Sequence, residues 1–582
     1  MGWLDIRTPA RYAPLISLTL PDPQRMATYP ARTAPLGRMA RSDEYGRPVE
    51  ASPAQRMALR VLQAACVLAV LAAATYKVFE LDRFFVPKEL VLHLAALLAV
   101  VLCLGSARRA GIGRVDLLLG GFLVLSAASA ALAQNPWAGV RTFAVSASGI
   151  AVFWCARSVG RAGLARPLLA AIAAAVVIGA AMSLAQTYGV RTDFFSLNRA
   201  PGGTLGNRNF VAHLCAFGLP VLFLCALRAY RVLGTLLGAI GVAAVAGTLV
   251  LTRSRAAWLG VAAVLVVFLV GWLLVPTARR SVRHWMRLLL LLASTAGGVA
   301  AVIVLPNTLH WASSNPYAET AHGLVNAKEG SGRGRLLQWK NTAKMAVAHP
   351  LLGVGPGNWP VHYPRYARAS DPSMSDTETG VTSNPWPSSD WVAFFAERGI
   401  VAGALLLLAF AGLAVAALHR MRAARDADEG LAALALAAMV AGATVVGAFD
   451  AVLLLGLPSL LIWAALGVLS ADEPGRWDVP VPIPLRALGM LLAVAVFGAF
   501  TLKSAAQLVA MGVYASADRV SEVQRAARLD PGSYRIQLKL ARSSAPCDVR
   551  RAAAERAHEL FPEAAAAKGL RRTCGGRRRH RR

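Results

Sequence analysis

The chain has 582 residues, of which 56% are hydrophobic and only 16% are charged. Its 61 basic and 31 acidic residues give a net charge of +30, which in a soluble protein would indicate a nucleic-acid partner. The arginines instead gather in short connections between apolar runs, and no nucleic-acid-binding module is visible. Apolar runs of about 17–20 residues are long enough to cross a bilayer core of about 30 Å. We therefore expect an all-α, polytopic helical membrane protein with about 12–13 transmembrane helices and no nucleic-acid partner.

The first segment in chain order, residues 1–55, is rich in Pro and Arg and contains neither an apolar span nor a signal-peptide pattern. This composition predicts a disordered cytoplasmic tail. The predicted membrane spans that follow are residues 59–79, 88–106, 115–134, 142–156, 167–187, 210–227, 232–251, 256–275, 288–306, 389–417, 431–449, 451–471 and 487–503. An N-terminus on the inside makes the odd-numbered connections external.

The distribution of arginine supports this orientation. The connections that it places inside are short and basic, as the positive-inside bias requires. They carry Arg108, Arg109, Arg114, Arg157, Arg161, Arg166, Arg228, Arg231, Arg279, Arg280, Arg283, Arg287, Arg420, Arg422 and Arg425.

A few arginines contradict the bias, because they fall in external connections. They are Arg141, Arg191, Arg199, Arg208, Arg253 and Arg255. Any one of them is explained by a side chain that reaches the lipid headgroups. As a set on one face, they indicate a pocket for an anion such as a lipid pyrophosphate. Arg253 and Arg255 make the strongest case, since they lie in a very short break between two apolar spans.

The long polar interval 332–397 must lie largely outside the hydrocarbon. Its first part has the spacing of an amphipathic helix that ends at His349-Pro350. Gly353, Gly355, Pro356 and Gly357 follow, and they predict a tight loop whose backbone N–H groups can face an anion. An ordinary surface turn is the alternative.

Four stretches, in this order, resemble the motifs of the O-antigen ligase family. They are PGGTLGNRNFVAHL (201–214), TRSRAAWLG (252–260), RLLQWKNTAKMAVAHPLLGVGPGNW (335–359) and AERGIVAGA (396–404). The resemblance covers roughly residues 60–475, with the long loop in the matching place. The family also contains lipid-linked polysaccharide polymerases and pilin oligosaccharyltransferases.

The resemblance implies a GT-C-like glycosyltransferase that uses no metal and no cofactor. It would move a glycan from undecaprenyl pyrophosphate to a lipid or glycan acceptor on the periplasmic face of the inner membrane. External arginines would hold the pyrophosphate, and a loop histidine would help to activate the acceptor hydroxyl. The substrate-binding candidates are Arg255, Arg253, Arg208, Arg141, Arg335, Gly355, Gly357 and Asn358.

One departure concerns the loop histidine, which the family places about nine residues before the Glu of its AE-x-G motif. Counting back from Glu397 reaches Ser388, and a serine is not a general base near neutral pH. Asp390 or His349 are candidates for that role, and His362 is a further one. The alternatives are another acceptor, or a protein without transferase activity.

Two acids, Glu397 and Asp450, are placed in or at the tip of apolar spans, where an acid needs a partner or a function. Glu397 is therefore either a catalytic candidate or a contact between helices.

Two polar segments follow the last predicted span. The predicted organisation after the N-terminal tail is therefore an N-terminal bundle 56–305, a large periplasmic loop 306–388, C-terminal spans 389–503, a periplasmic helical region 504–570 and a basic tail 571–582. The endings ARLDP and HELFP of the helical region resemble tetratricopeptide helix pairs, which would offer a surface to a protein partner. Cys547 and Cys574 are predicted to form a disulfide in the oxidising compartment.

The sequence thus predicts a transferase acting on a lipid-linked glycan. A polymerase of such glycans needs two lipid-linked substrates and can do without the ligase histidine, so it is the second hypothesis. A transporter or a non-catalytic scaffold of polysaccharide assembly is the third.

Overall fold

The computed structural model describes residues 51–573 apart from 197, 312, 314, 326–329 and 474. These residues belong to one compact unit, Glu50–Arg582. Within the described part, eleven helices are long and apolar enough to cross a membrane. One of them, the 52-residue stretch Pro136–Thr187, holds two crossings, because Gly163 with a φ of 79° interrupts the helix. The predicted all-α polytopic membrane fold is confirmed.

Among the helices of the first half of the chain, those that start at Pro53, Pro136 and Arg208 are preceded by a polar side chain that caps the backbone. Ser52, for example, accepts a hydrogen bond from the backbone of Gln55 and starts the first helix before Pro53. The helices are α1 Pro53–Leu71, α2 Asp82–Ser106, α3 Arg114–Ala131, α4 Pro136–Val159, α5 Ala165–Thr187, α6 Arg208–Leu227, α7 Val232–Thr252, α8 Arg255–Leu273, α9 Pro276–Arg279 and α10 Val282–Val304.

The second half contains the large loop, three further apolar helices of spanning type and the C-terminal helices. They are α11 Pro316–Val325, α12 Gly330–Ala348, α13 Trp359–His362, α14 Asp390–Arg398, α15 Ile400–Ala423, α16 Ala427–Phe449, α17 Gly456–Leu469, α18 Ile483–Ala515, α19 Val520–Leu529, α20 Tyr534–Arg542, α21 Cys547–Leu560 and α22 Ala565–Thr573. Short strands β1 Arg109–Ile112 and β2 Trp477–Pro480 pair antiparallel.

The predicted span 389–417 is not continuous. It is divided at Gly399, whose φ of 87° separates α14 from α15. A left-handed backbone of this kind is open to glycine and strained for other residues. The first span also lies earlier than predicted, since α1 ends at Leu71 and residues 72–81 connect it to α2.

The ends of the bundle form two faces, of which one carries the connections predicted to be internal. There Arg109 pairs with Asp478 at 2.6 Å across the β1–β2 ribbon. Arg228 pairs with Asp428, and Arg420 with Asp472. The arginines that marked the predicted inner side are therefore gathered at one end of the bundle, where acids partly balance them.

The other face, here called the loop face, carries residues 305–399, the turn after α16 and the C-terminal helices. The C-terminal helices pack on the large loop: Arg365 pairs with Glu563 at 3.0 Å, and the Tyr534 hydroxyl donates to Glu378. The backbone N–H of Ala565 donates to the carbonyl of Thr379 at 3.0 Å. The α18 helix, about 50 Å long by its rise per residue, extends beyond a bilayer core and joins this assembly. The tetratricopeptide likeness of the C-terminal helical region 504–570 stays a prediction.

The predicted disulfide has one described partner. Cys547 is disulfide-bonded, whereas Cys574 lies outside the described residues, so the pairing of the two stays a prediction. We expect non-reducing mass spectrometry to find a 547–574 cross-linked peptide. The bond should stabilise the C-terminal helices by about 3 kcal/mol in the chain-entropy model. Complete maleimide labelling of both thiols before reduction would contradict the pairing.

Candidate functional site

Three of the predicted arginines meet on the loop face at the ends of membrane helices. Arg208 and Arg255 are the first residues of α6 and α8. Arg253 ends α7 in a left-handed conformation, with a φ of 53°, which lets the chain turn into α8 within two residues. A basic residue at a helix N-terminus is disfavoured by the helix dipole, unless an anion lies against both.

The arginines are drawn together by the segment after α10. The guanidinium groups of Arg208 and Arg253 lie 4.9 and 4.7 Å from the ring of Trp311. Arg253 also donates to Thr320 at 2.9 Å and pairs with Glu319 at 2.9 Å, both on α11. Arg255 lies against the same helix, since its guanidinium occupies the space beside Gly323. The helix α11 therefore covers the α7–α8 break.

Arg335, on α12, lies near the N-terminal part of α6, the helix that begins with Arg208. It lies four residues before Trp339, so both share one face of the helix. The Trp339 ring is 6.1 Å from that of Phe449 at the end of α16, and Arg335 is close enough to His213 to interact with it electrostatically. We call Arg208, Arg253, Arg255 and Arg335 the arginine cluster.

The charge of the arginine cluster is only partly balanced within the protein. Glu319 pairs with Arg253. Arg208, Arg255 and Arg335 are half-buried and have no acidic partner among the residues that the structure describes. Three unpaired guanidinium groups on one face form a set of donors suited to a doubly charged phosphate group.

Arg141 does not belong to this cluster, contrary to the prediction. Its guanidinium donates to both carboxylate oxygens of Glu89 at 2.8 and 2.9 Å and pairs with Asp82 at 2.8 Å. With both acids bound to it, Arg141 holds α4 against α2 and has no donor fork left for a ligand. The sequence predicted a binding role for Arg141 because this arginine contradicts the positive-inside bias, and its two acidic partners cannot be recognised from the sequence.

The glycine loop does not present its N–H groups to a ligand, and this part of the prediction is corrected. The N–H of Gly355 donates to the carbonyl of Glu397 at 2.8 Å, and that of Gly357 to the Glu397 carboxylate at 2.9 Å. The same carboxylate accepts from Trp359 N–H at 3.1 Å. Gly355 and Gly357 have φ of 100° and 66° and pack against α4 and the turn before it.

Glu397 and Asn358 are the two side chains that fix this loop. Asn358 is fully buried and exchanges hydrogen bonds with the backbone of Asn135, at 2.7 and 3.1 Å. Burial raises the pKa of Glu397 to about 7, although Arg398 and the N–H groups of Gly357 and Trp359 act in the opposite direction. Both residues thus have structural roles, which removes Glu397 from the catalytic candidates and Asn358 from the binding candidates.

Asp390 has a similar role at the start of α14. Its buried carboxylate accepts from the backbone N–H groups of Val452 at 3.0 Å and Leu453 at 2.8 Å, and it lies within 3.4 Å of that of Leu454. Burial raises its pKa to about 7. Because its oxygens are occupied by the turn after α16, Asp390 is poorly placed to accept a proton from a substrate.

Ser388 lies next to this region and is half-buried. Its N–H donates to the side-chain oxygen of Gln338 on α12 at 2.7 Å, and the neighbouring Ser389 contacts the carbonyl of Gly447. Position 388 is therefore close to both α12 and the end of α16, where a histidine would reach the site.

His349 lies outside the site. It follows α12 and is 14 residues from Arg335, or about 21 Å along a helix. Its exposed ring stacks edge-on with that of His362 at 6.0 Å. Burial lowers the pKa of His362 to about 4, with smaller contributions from Arg365 and His349. Neither histidine is within reach of the arginine cluster.

Sequence reasoning missed His213, which lies on α6 five residues after Arg208. Its ring is fully buried, neither ring nitrogen has a hydrogen-bond partner among the described residues, and Nε2 is 3.6 Å from Asp450 Oδ2. A histidine inside an apolar span is a signal in itself, since polar groups in membrane helices need a reason. The described residues contain no group of His, Cys, Asp and Glu side chains that could hold a metal ion.

Comparison with protein-family models finds one match over residues 240–407, to the model described as O-antigen ligase. The match begins within α7 and ends within α15, so it contains Arg253, Arg255, Arg335 and the whole large loop. A search of curated proteins finds no match.

Proposed function

We propose that this membrane protein is a member of the O-antigen ligase superfamily and transfers a glycan from undecaprenyl pyrophosphate to an acceptor at its loop face, and the match over residues 240–407 supports this proposal. The observation that carries the proposal is the set of guanidinium groups of Arg208, Arg255 and Arg335, which have no acidic partner among the described residues. We further propose that the loop face is periplasmic and the membrane is the bacterial inner membrane, in line with the positive-inside bias.

The chemistry requires positioning and charge neutralisation. The acceptor hydroxyl attacks C1 of the donor sugar, the bond from C1 to the pyrophosphate oxygen breaks, and its electron pair leaves on the pyrophosphate. The arginine cluster stabilises this developing charge, and two of its members stand at helix N-termini whose N–H groups add to the effect. Four guanidinium groups can supply this stabilisation without a metal ion.

The unpaired arginines are held between membrane helices and the loop, which suits a donor with a lipid tail. The polyprenyl chain would lie along the apolar outer surface of the helices, while the pyrophosphate enters at the membrane surface. The glycan would then extend toward the large loop.

A polymerase is the second candidate, and the serine at position 388 favours it. A polymerase joins one lipid-linked glycan to another, so its acceptor is a sugar hydroxyl on a second lipid-linked unit. The arginine cluster serves either reaction, because both release undecaprenyl pyrophosphate.

Gene deletion with complementation tests both candidates. A ligase mutant should accumulate long lipid-linked polysaccharide that is not attached to its final acceptor. A polymerase mutant should accumulate single repeat units on the lipid. If no surface glycan changes in amount, length or attachment, the proposed function is wrong.

A further inference from the structure

We infer that Asp450 accepts the proton of the acceptor hydroxyl, and that His213 positions its carboxylate, which together replace the absent loop histidine. This inference rests on the proposed transferase function. Neither His213 nor Asp450 is in the part matched by the family model, because His213 precedes residues 240–407 and Asp450 follows them.

The first support is the buried ring of His213. It is packed edge-on against Phe210, with ring centroids 6.3 Å apart, and is 0% exposed. Both of its nitrogens lack a hydrogen-bond partner among the described residues, although a buried polar atom usually has one. The nearest acid is Asp450, whose Oδ2 lies 3.6 Å from Nε2. A small decrease in this distance would allow Nε2–H of His213 to donate a hydrogen bond to Oδ2 of Asp450.

The second support is a comparison of Asp450 with two other buried acids near the turn after α16, Asp390 and Glu397. Asp390 and Glu397 are fully buried, and their oxygens accept backbone N–H groups. Asp450 differs, because its side chain is 13% exposed and only Oδ1 accepts an N–H, from Ala451 at 2.8 Å. Its Oδ2 has no hydrogen-bond donor among the described residues. Among these three described acids, Asp450 is therefore the one with an oxygen that lacks a backbone N–H donor and a partly exposed side chain.

The third support is location. Asp450 follows Phe449, whose ring is 6.1 Å from Trp339 on the face of α12 that also carries Arg335. Arg335 interacts electrostatically with His213, so the cluster and the acid–histidine pair adjoin. Other charged groups around the turn, among the described residues, include Asp390 on α14 and Lys88 and Glu89 on α2, and the two α2 residues lie beside Gly456.

Position 388 lies close to Asp450, so a histidine there is dispensable if Asp450 accepts the proton. Its neighbour Ser389 contacts Gly447, one turn before Asp450 on α16. A histidine introduced at position 388 and the native Asp450 would thus approach the same substrate from adjacent positions.

The transfer step is a substitution at C1 of the donor sugar. The hydroxyl oxygen forms its bond to C1 of the sugar as the C1–O bond to pyrophosphate breaks. The hydroxyl proton moves to Asp450 Oδ2, the electron pair leaves on undecaprenyl pyrophosphate, and the proton is later released to solvent at the exposed edge of the carboxylate. His213 donates to that carboxylate and holds it in place without exchanging a proton with the substrate.

The test compares Asp450→Asn with Asp193→Asn, a control that removes an exposed carboxylate on the same face. Transfer is measured with lipid-linked glycan extracted from the deletion strain, and donor binding with undecaprenyl pyrophosphate. We expect Asp450→Asn to lower kcat by about 10²–10⁴-fold with binding retained, and Asp193→Asn to match the wild type. Loss of lipid binding by Asp450→Asn, or unchanged kcat, would overturn the inference.

The role of His213 is tested with His213→Phe and His213→Gln. Phenylalanine fills the space without a donor, so kcat should fall while KM for the lipid-linked glycan is retained, because the carboxylate is no longer held toward the acceptor hydroxyl. Glutamine keeps a donor and should restore much of the wild-type kcat. Equal kcat values for all three proteins would show that His213 has no positioning role.

A gain-of-function variant separates the catalytic role from folding. Ser388→His in the Asp450→Asn background should restore part of the lost transfer, whereas a misfolded protein would not recover. If Arg255→Ala loses transfer while Asp450→Asn keeps it, only this inference fails. If neither variant nor the wild type transfers glycan, the proposed function fails.

Discussion

Replacing Arg255 by alanine is expected to lower glycan transfer by about 10²–10³-fold, the effect typical of losing one donor to a developing oxyanion. Arg255 opens α8, is half-buried beside Gly323 and has no acidic partner among the described residues. Arg255→Lys keeps the charge but loses the planar fork that binds two phosphate oxygens, so we expect a clear loss with lysine too. Transfer from extracted lipid-linked glycan measures the effect.

Arg208→Ala should behave like Arg255→Ala, because Arg208 stands at the N-terminus of α6 and shares Trp311 with Arg253. Arg191→Ala is the matched control, since Arg191 is an exposed arginine of the connection that also precedes α6. If both cluster variants are produced at normal levels and transfer glycan fully, the arginine cluster does not bind the pyrophosphate.

Replacing Glu397 by alanine is expected to destabilise the protein by about 2–6 kcal/mol, because two buried N–H groups lose their acceptor at about 1–3 kcal/mol each. Those donors belong to Gly357 and Trp359, and the loop they fix packs on α4. Thermal unfolding in detergent should therefore begin at a clearly lower temperature. Glu397→Gln keeps one acceptor oxygen, so its unfolding temperature should lie between those of the wild type and Glu397→Ala.

Glu555→Ala is the control for this series, since Glu555 is an exposed acid on α21. Gly357→Ala provides an independent variant of the same loop, because a Cβ there would collide with Thr142 and the φ of 66° strains any side chain. If both Glu397→Ala and Gly357→Ala unfold at the wild-type temperature, the loop and its hydrogen bonds to Glu397 do not stabilise the protein.

The membrane fold could be predicted because long apolar runs are local features of the sequence. The break at Gly399 was missed, since apolar residues occur on both sides of it and the positive φ that separates the two helices is not visible in the sequence. Arg208, Arg253 and Arg255 could be grouped as candidates from the sequence for a physical reason that needs no contacts, because they contradict the charge bias of membrane proteins.

The roles of the remaining candidates depended on partners far away in the chain. Arg141 is bound by Glu89, and Asn358 by Asn135, 223 residues distant. Similarly, the glycine loop resembles an anion-binding turn until Glu397 is seen to accept its N–H groups. The pairing of His213 with Asp450 joins the ends of two membrane helices, and no periodicity or spacing in the sequence indicates it.

The contact between Arg365 and Glu563 links residues 198 positions apart, and it also sets an order of events during synthesis. At about 5–20 residues per second, the ribosome needs roughly 10–40 s to add the C-terminal helices after the loop has emerged. During that interval the loop lacks the partners of Arg365, Glu378 and Thr379. A nascent chain stopped before residue 520 should therefore expose these loop sites to protease, and a full-length chain should protect them.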